Sequence, residues 1–174
     1  KSLKWTPRIY YGQLKTLSER GQTSMKKKYK GIDLFCGIGG FRLAMNSSQV
    51  ECVFSSDNDK FAQQTYEANF HEVPTGDIKA VDEKDIPKFD ILTAGFPCQP
   101  FSYAGEKQGF NDEVRGTLFF DVCRILEYHK PPMVFLENVK GLKSHDKGKT
   151  LQTVLDTLKK LGYYPHWTIL SSLD

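Results

Sequence analysis

Cys98 is the side chain in this sequence with the clearest capacity for covalent chemistry. It follows a predicted strand in the string Gly95-Phe-Pro-Cys-Gln-Pro-Phe-Ser102, where the flanking prolines stiffen the turn that presents it. A free thiol with a pKa of about 8.5 is only a few per cent ionised at neutral pH, so a nucleophilic cysteine needs activation or an electrophilic substrate. Single cysteines are more often inert core thiols, but Cys98 does not lie in an apolar run.

Glu137 supplies a carboxyl group at the end of the predicted strand next to the one that precedes Cys98. In the string Glu137-Asn138-Val139, this carboxyl can share a proton with a bound base and so make the base more electrophilic. Taken alone, Glu137 is equally well explained as a turn cap, and Asn138 as an amide that shapes the turn. The combination with Cys98 on the neighbouring strand favours the catalytic interpretation.

A glycine-rich turn follows the first predicted strand, in residues 33–41. Its glycines allow a ligand to approach the backbone closely, and Asp57 at the end of the second strand is placed to accept hydrogen bonds from ribose hydroxyls. The same features occur in nicotinamide-binding folds and in turns that only let a helix pack closely. The spacing Gly37-Ile38-Gly39-Gly40, however, places Leu43 where a dinucleotide fingerprint has its third glycine, which argues against a dehydrogenase.

A second acid, Asp77, lies in the string Gly76-Asp77-Ile78 on the same predicted rim of the sheet. It can accept a hydrogen bond from an adenine amino group. A turn or capping carboxylate is the alternative, and the sequence leaves both open.

Short apolar runs alternate with helical patterns, which predicts an α/β fold: a parallel sheet covered by helices on both faces. Strands are predicted at residues 31–35, 51–56, 73–78, 89–94, 133–137 and 163–171. Helices are predicted at residues 40–46, 59–70 and 117–128, and in the leucine-rich stretch that ends at Gly162. Ligands of such sheets bind beyond the carboxyl ends of the strands, where the thiol, the acids and the glycine turn all lie.

Three strings, at residues 33–41, 95–102 and 137–139, resemble in order and spacing the motifs of bacterial cytosine carbon-5 DNA methyltransferases. The segments 76–78 and 115–120 match as well, and the resemblance runs from about residue 29 to the end. It implies a Rossmann-like, S-adenosylmethionine-dependent methyltransferase sheet. The implied activity is methylation of cytosine at ring carbon 5 in double-stranded DNA, as in a restriction-modification system.

The resemblance also assigns catalytic roles. Cys98 adds to ring carbon 6 of a flipped-out cytosine while Glu137 holds the ring nitrogen and the amino group; Asn138 and Arg115 complete the catalytic set. The base must leave the stack because a thiol cannot reach ring carbon 6 within it. Residues 99–116 are similar to the family's active-site loop, so substrate contacts are expected from Gln99, Ser102 and Arg115.

By the same resemblance, S-adenosylmethionine binds along the glycine turn and the neighbouring strand ends, and no metal is implied. Asn58 stands where relatives usually carry an aromatic residue that stacks on adenine, so weaker cofactor affinity is expected. The implied cofactor-binding residues are Phe35, Gly37, Ile38, Gly39, Gly40, Asp57, Asn58, Asp77, Ile78, Pro97 and Leu118.

The 174 residues suffice for one domain, with a basic extension at 1–28 and a catalytic domain at 29–174. The first 30 residues contain nine Lys or Arg against Glu19, a net +8, so the remainder of the +3 chain carries −5. The arm either lies along nucleic-acid phosphates or is a solvated extension. Four cysteines without paired spacing predict neither a zinc site nor disulfides, and no apolar run is long enough for a membrane span, which together predict a soluble cytoplasmic protein.

In the family, the polypeptide would continue after Asp174 with a further strand, a target-recognition region and a closing helix. We therefore expect a truncated piece of a longer enzyme, or one component of a split methyltransferase with a complementary chain. Two functional alternatives remain open: the same chemistry on tRNA, and a non-catalytic fragment that binds DNA or a partner. The presence of both Cys98 and Glu137 argues against the second.

Overall fold

The computed structural model describes residues 28–97 and 118–170, which form a four-stranded parallel sheet with associated helices. The predicted site residues Cys98, Gln99, Ser102 and Arg115, together with the loop 99–116, lie outside the described residues, as does most of the basic extension. The strands are β1 (Tyr29–Leu34), β2 (Val50–Ser56), β3 (Ile91–Gly95) and β4 (Met133–Glu137), in the spatial order β2-β1-β3-β4. This arrangement confirms the predicted α/β fold with a parallel sheet.

Four helices accompany the strands: α1 (Gly40–Asn46), α2 (Lys60–Phe70), α3 (Leu118–His129) and α4 (Lys149–Lys160). Helix α2 begins one residue later than predicted because Asp59 is its N-cap, whose carboxylate accepts hydrogen bonds from the backbone N–H groups of Phe61 and Ala62. A cap of this type stabilises a helix by about 1 kcal/mol. Short 3-10 turns span Ile78–Ala80, Glu83–Asp85, Lys140–Lys143 and His145–Gly148.

Both faces of the sheet are covered, as the sequence predicted. Ile32 and Leu34 of β1 are fully buried, and they share one apolar cluster with buried side chains of α3 and α4. Gly31 points to the opposite face, because successive strand residues alternate in direction. A Cβ atom at Gly31 would lie 3.0 Å from the sulfur of Met45, which places α1 against that second face.

The predicted third strand at residues 73–78 is wrong. Only an isolated parallel bridge between Ser56 and Thr75 forms there. Pro74 has no backbone N–H to donate to a ladder, and the Asp77 carboxylate accepts a hydrogen bond from the Lys79 N–H, which starts a 3-10 turn instead of continuing an extended strand.

The predicted last strand at residues 163–171 is also wrong over its described part, 163–170, which contains no regular secondary structure. The chain leaves α4 through Gly162, whose φ of 92° ends the helix, and the Tyr163 hydroxyl donates a hydrogen bond to the Pro131 carbonyl oxygen. A groove of about 480 Å³ then separates residues 163–170 from β4. No strand is described in that groove, so residues 163–170 lack a neighbouring strand with which to form backbone hydrogen bonds.

Candidate active site

The carboxyl ends of β1 and β3 form the topological switch point of the sheet. From β1 the chain moves to β2 on one side, and it later returns to β3 on the other side. In doubly wound sheets, the crevice between two such strand ends is where ligands bind. The residue pairs Leu34–Ala94 and Gly95–Glu137 are in register across β1, β3 and β4, so the predicted site elements meet at one edge.

The glycine turn is built on left-handed backbone conformations. Gly37 and Gly39 have φ values of 53° and 97°, which side-chain-bearing residues rarely adopt. A Cβ atom at Gly39 would collide with the ring of Phe70, so this glycine allows α2 to pack against the turn. At Gly37 and Gly40, by contrast, a Cβ would meet nothing within 4 Å. The turn therefore has one side that packs and one that is open to a ligand.

Asp57 ties the glycine turn to the end of β2. One carboxylate oxygen accepts a hydrogen bond from the Gly37 N–H at 2.8 Å, and the other accepts one from the Asp59 N–H at 2.8 Å. Each carboxylate oxygen can accept a second hydrogen bond, so the predicted contact with ribose hydroxyls fits this arrangement. Asn58 beside it is exposed.

The remaining predicted cofactor-binding residues differ in how deeply they are buried. Asp77 is exposed and caps the following turn, while Ile78 is 2% exposed and belongs to the apolar core. Ile38 is 63% exposed, directly beside the open glycines. Phe35 and Leu118 are half-buried against the core, and Pro97 is exposed.

Glu137 lies directly across from Gly95 in the parallel β3–β4 pair. A Cβ atom at Gly95 would lie 3.3 Å from a Glu137 carboxylate oxygen, so the missing side chain leaves room for that carboxyl group over the end of β3. The role of Gly95 was not predicted from the sequence. Its signal was a glycine ending an otherwise apolar strand, which often marks a close approach by another group.

Asn138 joins the end of β4 to the segment that leads to Cys98. Its side-chain N–H donates to the Phe96 carbonyl oxygen at 2.6 Å, and its side-chain oxygen accepts from the Val139 N–H at 2.9 Å. Phe96 is only two residues before Cys98 in the chain. The amide thus holds the carboxyl-bearing turn and the start of the thiol-bearing loop together.

A buried acid, Asp33, lies within the glycine-turn string. It is fully buried, and burial raises its pKa from 3.8 to about 6, against the opposing effect of the Thr93 hydroxyl. Thr93 Oγ1 is 2.8 Å from an Asp33 carboxylate oxygen and 3.1 Å from the Ile32 carbonyl oxygen. A hydroxyl has one proton, so both contacts are satisfied together when Asp33 is protonated and donates to Thr93. No role for Asp33 was predicted from the sequence.

The three cysteines among the described residues are poor nucleophiles. Burial raises the pKa of Cys36 strongly, with nearby Asp33 and Asp57 adding to the effect. Burial also raises the pKa of Cys52, and it raises that of Cys123 to about 12. None of these thiols competes with Cys98 as a candidate nucleophile.

An ion pair supports the packing of α1 on α2. The Arg42 guanidinium donates to both carboxylate oxygens of Glu72, at 2.6 and 2.7 Å, and lies 5.5 Å from the centre of the Phe70 ring. The pair lowers the pKa of Glu72 and raises that of Arg42. Phe70 is thereby held where it closes off Gly39.

Within residues 28–97 and 118–170, no group of three or more His, Cys, Asp or Glu side chains is arranged to hold a metal ion. In the same part of the chain, none of the helices has the length and apolar character needed to cross a bilayer.

The parallel sheet, with its switch point between β1 and β3, is the Rossmann-like fold of S-adenosylmethionine-dependent methyltransferases. The sequence model for the C-5 cytosine-specific DNA methylases matches residues 29–174, and the chain belongs to that family. The predicted resemblance is therefore confirmed.

Among curated relatives, Type II methyltransferase M.HpaII of Haemophilus parainfluenzae is 58% identical over 144 residues, covering 81% of this chain and 40% of the relative. Type II methyltransferase M.HhaI of Haemophilus parahaemolyticus is 56% identical over 143 residues, covering 82% and 43%. A solved DNMT2 structure from Spodoptera frugiperda has a TM-score of 0.59 at 27% identity, covering 77% of this chain and 41% of that one. The chain thus spans about two-fifths of the length of these relatives.

Proposed function

We propose that this chain is the cofactor-binding and catalytic portion of an enzyme that methylates ring carbon 5 of cytosine in double-stranded DNA. The family assignment and the bacterial Type II relatives support this activity. The observation that carries it is the register of Gly95 with Glu137, together with the hydrogen bond from Asn138 to Phe96. These contacts bring the carboxyl group beside the segment that leads into Cys98.

The glycine turn is the proposed site for S-adenosylmethionine. The open sides of Gly37 and Gly40 admit a ligand close to the backbone, and the Asp57 carboxylate keeps acceptor capacity for ribose hydroxyls. When bound, the cofactor supplies an electrophilic methyl group. Asn58 offers no aromatic face, so we expect weaker adenine stacking than in relatives that carry an aromatic residue there.

Cys98 and Glu137 activate the cytosine in this proposal. The Cys98 thiolate forms a bond to ring carbon 6, and the electron pair of the carbon 5–carbon 6 double bond moves toward carbon 5. Glu137, protonated, donates to the ring nitrogen and accepts from the amino group, which stabilises the charge that develops on the ring. After methylation, a base removes the carbon-5 proton, the double bond re-forms, and the carbon–sulfur bond breaks to release Cys98.

The cytosine reaches these groups by leaving the duplex, which costs a few kcal/mol of stacking and pairing. We assign closure over the flipped base to residues 99–116, with Gln99, Ser102 and Arg115 as substrate contacts. Asn138 acts as a positioning residue, because it holds the carbonyl group at the start of this loop.

A covalent trap tests the proposal. In duplex DNA with 5-fluorocytosine at the target, fluorine cannot leave as a proton does, so the full-length enzyme is expected to stay bound through Cys98 in the presence of S-adenosylmethionine. Cys98→Ser should abolish the adduct, while Cys52→Ser, the matched thiol control, should keep it. Glu137→Gln should slow methyl transfer by about 10²- to 10⁴-fold.

If labelled methyl groups are transferred to tRNA and not to duplex DNA, the substrate is RNA and the proposal of a DNA substrate is wrong. An adduct that persists in Cys98→Ser would remove the proposed nucleophile.

We also propose that the complementary part of the fold covers the groove beside β4, whether it continues this polypeptide or belongs to a second chain. The cover is proposed to pack on the apolar side chains of β4, α4 and residues 163–170 that line this groove, and to leave Lys140 and Lys143, which also line it, exposed to solvent. Consistent with the bacterial relatives, we propose that the complete enzyme acts in the bacterial cytoplasm within a restriction-modification system.

A further inference from the structure

A cluster of lysines follows the candidate active site directly in the chain. Residues 140–149 contain four lysines and one acid, Asp146, although residues 31–174 together carry a net charge of −5. Lys140, Lys143 and Lys147 are all exposed; we call these three the lysine surface. A concentrated positive region on an otherwise acidic body favours a polyanionic partner.

The lysine surface sits on a fixed part of the backbone. The Leu142 N–H donates to the Val139 carbonyl oxygen at 2.9 Å. This hydrogen bond joins the 3-10 turn Lys140–Lys143 to Val139, the residue after Asn138. On the far side, the His145 ring nitrogen is 2.6 Å from the hydroxyl of the buried Thr150. Lys140 and Lys143 therefore start from a hydrogen-bonded turn that follows β4, and Lys147 starts from a segment that is tied to α4.

Lys147 adopts a conformation that a lysine rarely adopts. Its φ is 54°, and that of Asp146 before it is 46°. Aspartate tolerates the left-handed region, but for lysine it costs on the order of 1 kcal/mol. Such strain clusters at ligand-binding positions, since a binding function is one reason for a strained residue to persist.

We propose that the lysine surface contacts the phosphate backbone of duplex DNA beside the flipped cytosine. This inference rests on the proposed function and adds to it the part of the protein that holds the DNA strand. Lysine acts as a point charge toward phosphate. Lys140 begins the 3-10 turn that follows Glu137, Asn138 and Val139, so its positive charge lies next to the strand end where the base is to be received.

Salt-dependent binding tests the inference, with Lys140→Gln/Lys147→Gln in the full-length protein. Binding to a fluorescent duplex is measured between about 50 and 200 mM salt. The slope of log K against log salt is negative, and each lost phosphate contact reduces its magnitude by about 0.9, so the expected decrease in magnitude is about 1.8. The loss should be uniform across duplexes with and without the target sequence.

The matched control is Lys84→Gln/Lys88→Gln, which removes the same charge from exposed lysines ahead of the amino end of β3. It should leave the slope unchanged. Lys147→Gly separates binding from folding: glycine relieves the left-handed strain, so the Tm should not fall, yet the magnitude of the slope should decrease by about 0.9.

An unchanged slope in Lys140→Gln/Lys147→Gln, or an equal decrease in the control, overturns the inference. A decrease seen with single-stranded RNA but not with duplex DNA overturns it as well. These outcomes are separate from failure of the proposed function, which appears as absence of the Cys98 adduct in the otherwise unaltered protein.

Discussion

Two kinds of residue matter at the candidate active site: those proposed to react with the substrate, and those that position or surround them. Cys98 and Glu137 are proposed as catalytic residues from sequence alone, because a thiol and a carboxyl group at neighbouring predicted strand ends form a recognisable pattern. Asp33 and Gly95 lie in the same strings but act through distances to Thr93 and Glu137, which no spacing reveals. Ile78 matched the family's pattern, yet its side chain lies in the core.

The raised pKa of Asp33, about 6 against 3.8, makes stability depend on pH. The folded state holds the proton more tightly, so unfolding releases it between these two values and stability falls as pH rises from about 4 to 6. The loss is about 3 kcal/mol and is complete above that window. Asp33→Asn keeps a donor toward Thr93 and avoids the buried charge. The free energy of unfolding of Asp33→Asn, relative to that of the unmodified protein, should therefore increase by about 3 kcal/mol between pH 4 and pH 7.

Denaturant unfolding at pH 4, 5, 6 and 7 measures this difference. Asp85→Asn, at an exposed carboxyl group, is the matched control and should show no such increase. A difference for Asp33→Asn that stays constant with pH would contradict the assignment.

Among the elements, those with strong periodicity were predicted within a few residues, and those that depend on a partner were not. Strands β1, β3 and β4 are short apolar runs, and α3 and α4 carry continuous apolar stripes, so their sequences specify them. Residues 73–78 have a strand-like composition, but Pro74 cannot donate a ladder hydrogen bond and the Asp77 cap starts a 3-10 turn, so no strand forms there. The composition of residues 163–170 is also typical of a strand, but a strand forms only where a neighbouring strand pairs with it, and none is described beside this segment.

The contact between α2 and the glycine turn gives a prediction at this scale. Gly39→Ala combines an unfavourable φ with a collision against Phe70, so it should destabilise the protein by about 3 kcal/mol and weaken cofactor binding. Gly76→Ala is the control, because a Cβ there meets nothing within 4 Å. Unfolding in urea measures both, and equal stabilities for the two variants would show that the Phe70 contact is unimportant.

On the scale of the whole molecule, the groove beside β4 is an apolar surface that the described packing leaves uncovered. Phe135, 55% exposed, lines it. Phe135→Ser should change the stability of the isolated chain little, but it should destabilise the complete enzyme by about 1.5–3 kcal/mol, the value of burying such a side chain. Phe61→Ser, at an 80% exposed side chain of α2, is the control and should have little effect in both.

Thermal and denaturant unfolding of the isolated chain and of the complete enzyme measure the two effects. If Phe135→Ser has the same effect in both, the complementary part of the fold does not cover this groove.

The suppressed acidity of Cys36, Cys52 and Cys123 has a practical consequence. Alkylating reagents attack ionised sulfur, so at neutral pH the folded protein should behave toward iodoacetamide as though it had a single cysteine. The rate of modification then reports directly on occupancy around Cys98: bound duplex should protect it, and labelling should be possible without first engineering away any native thiol.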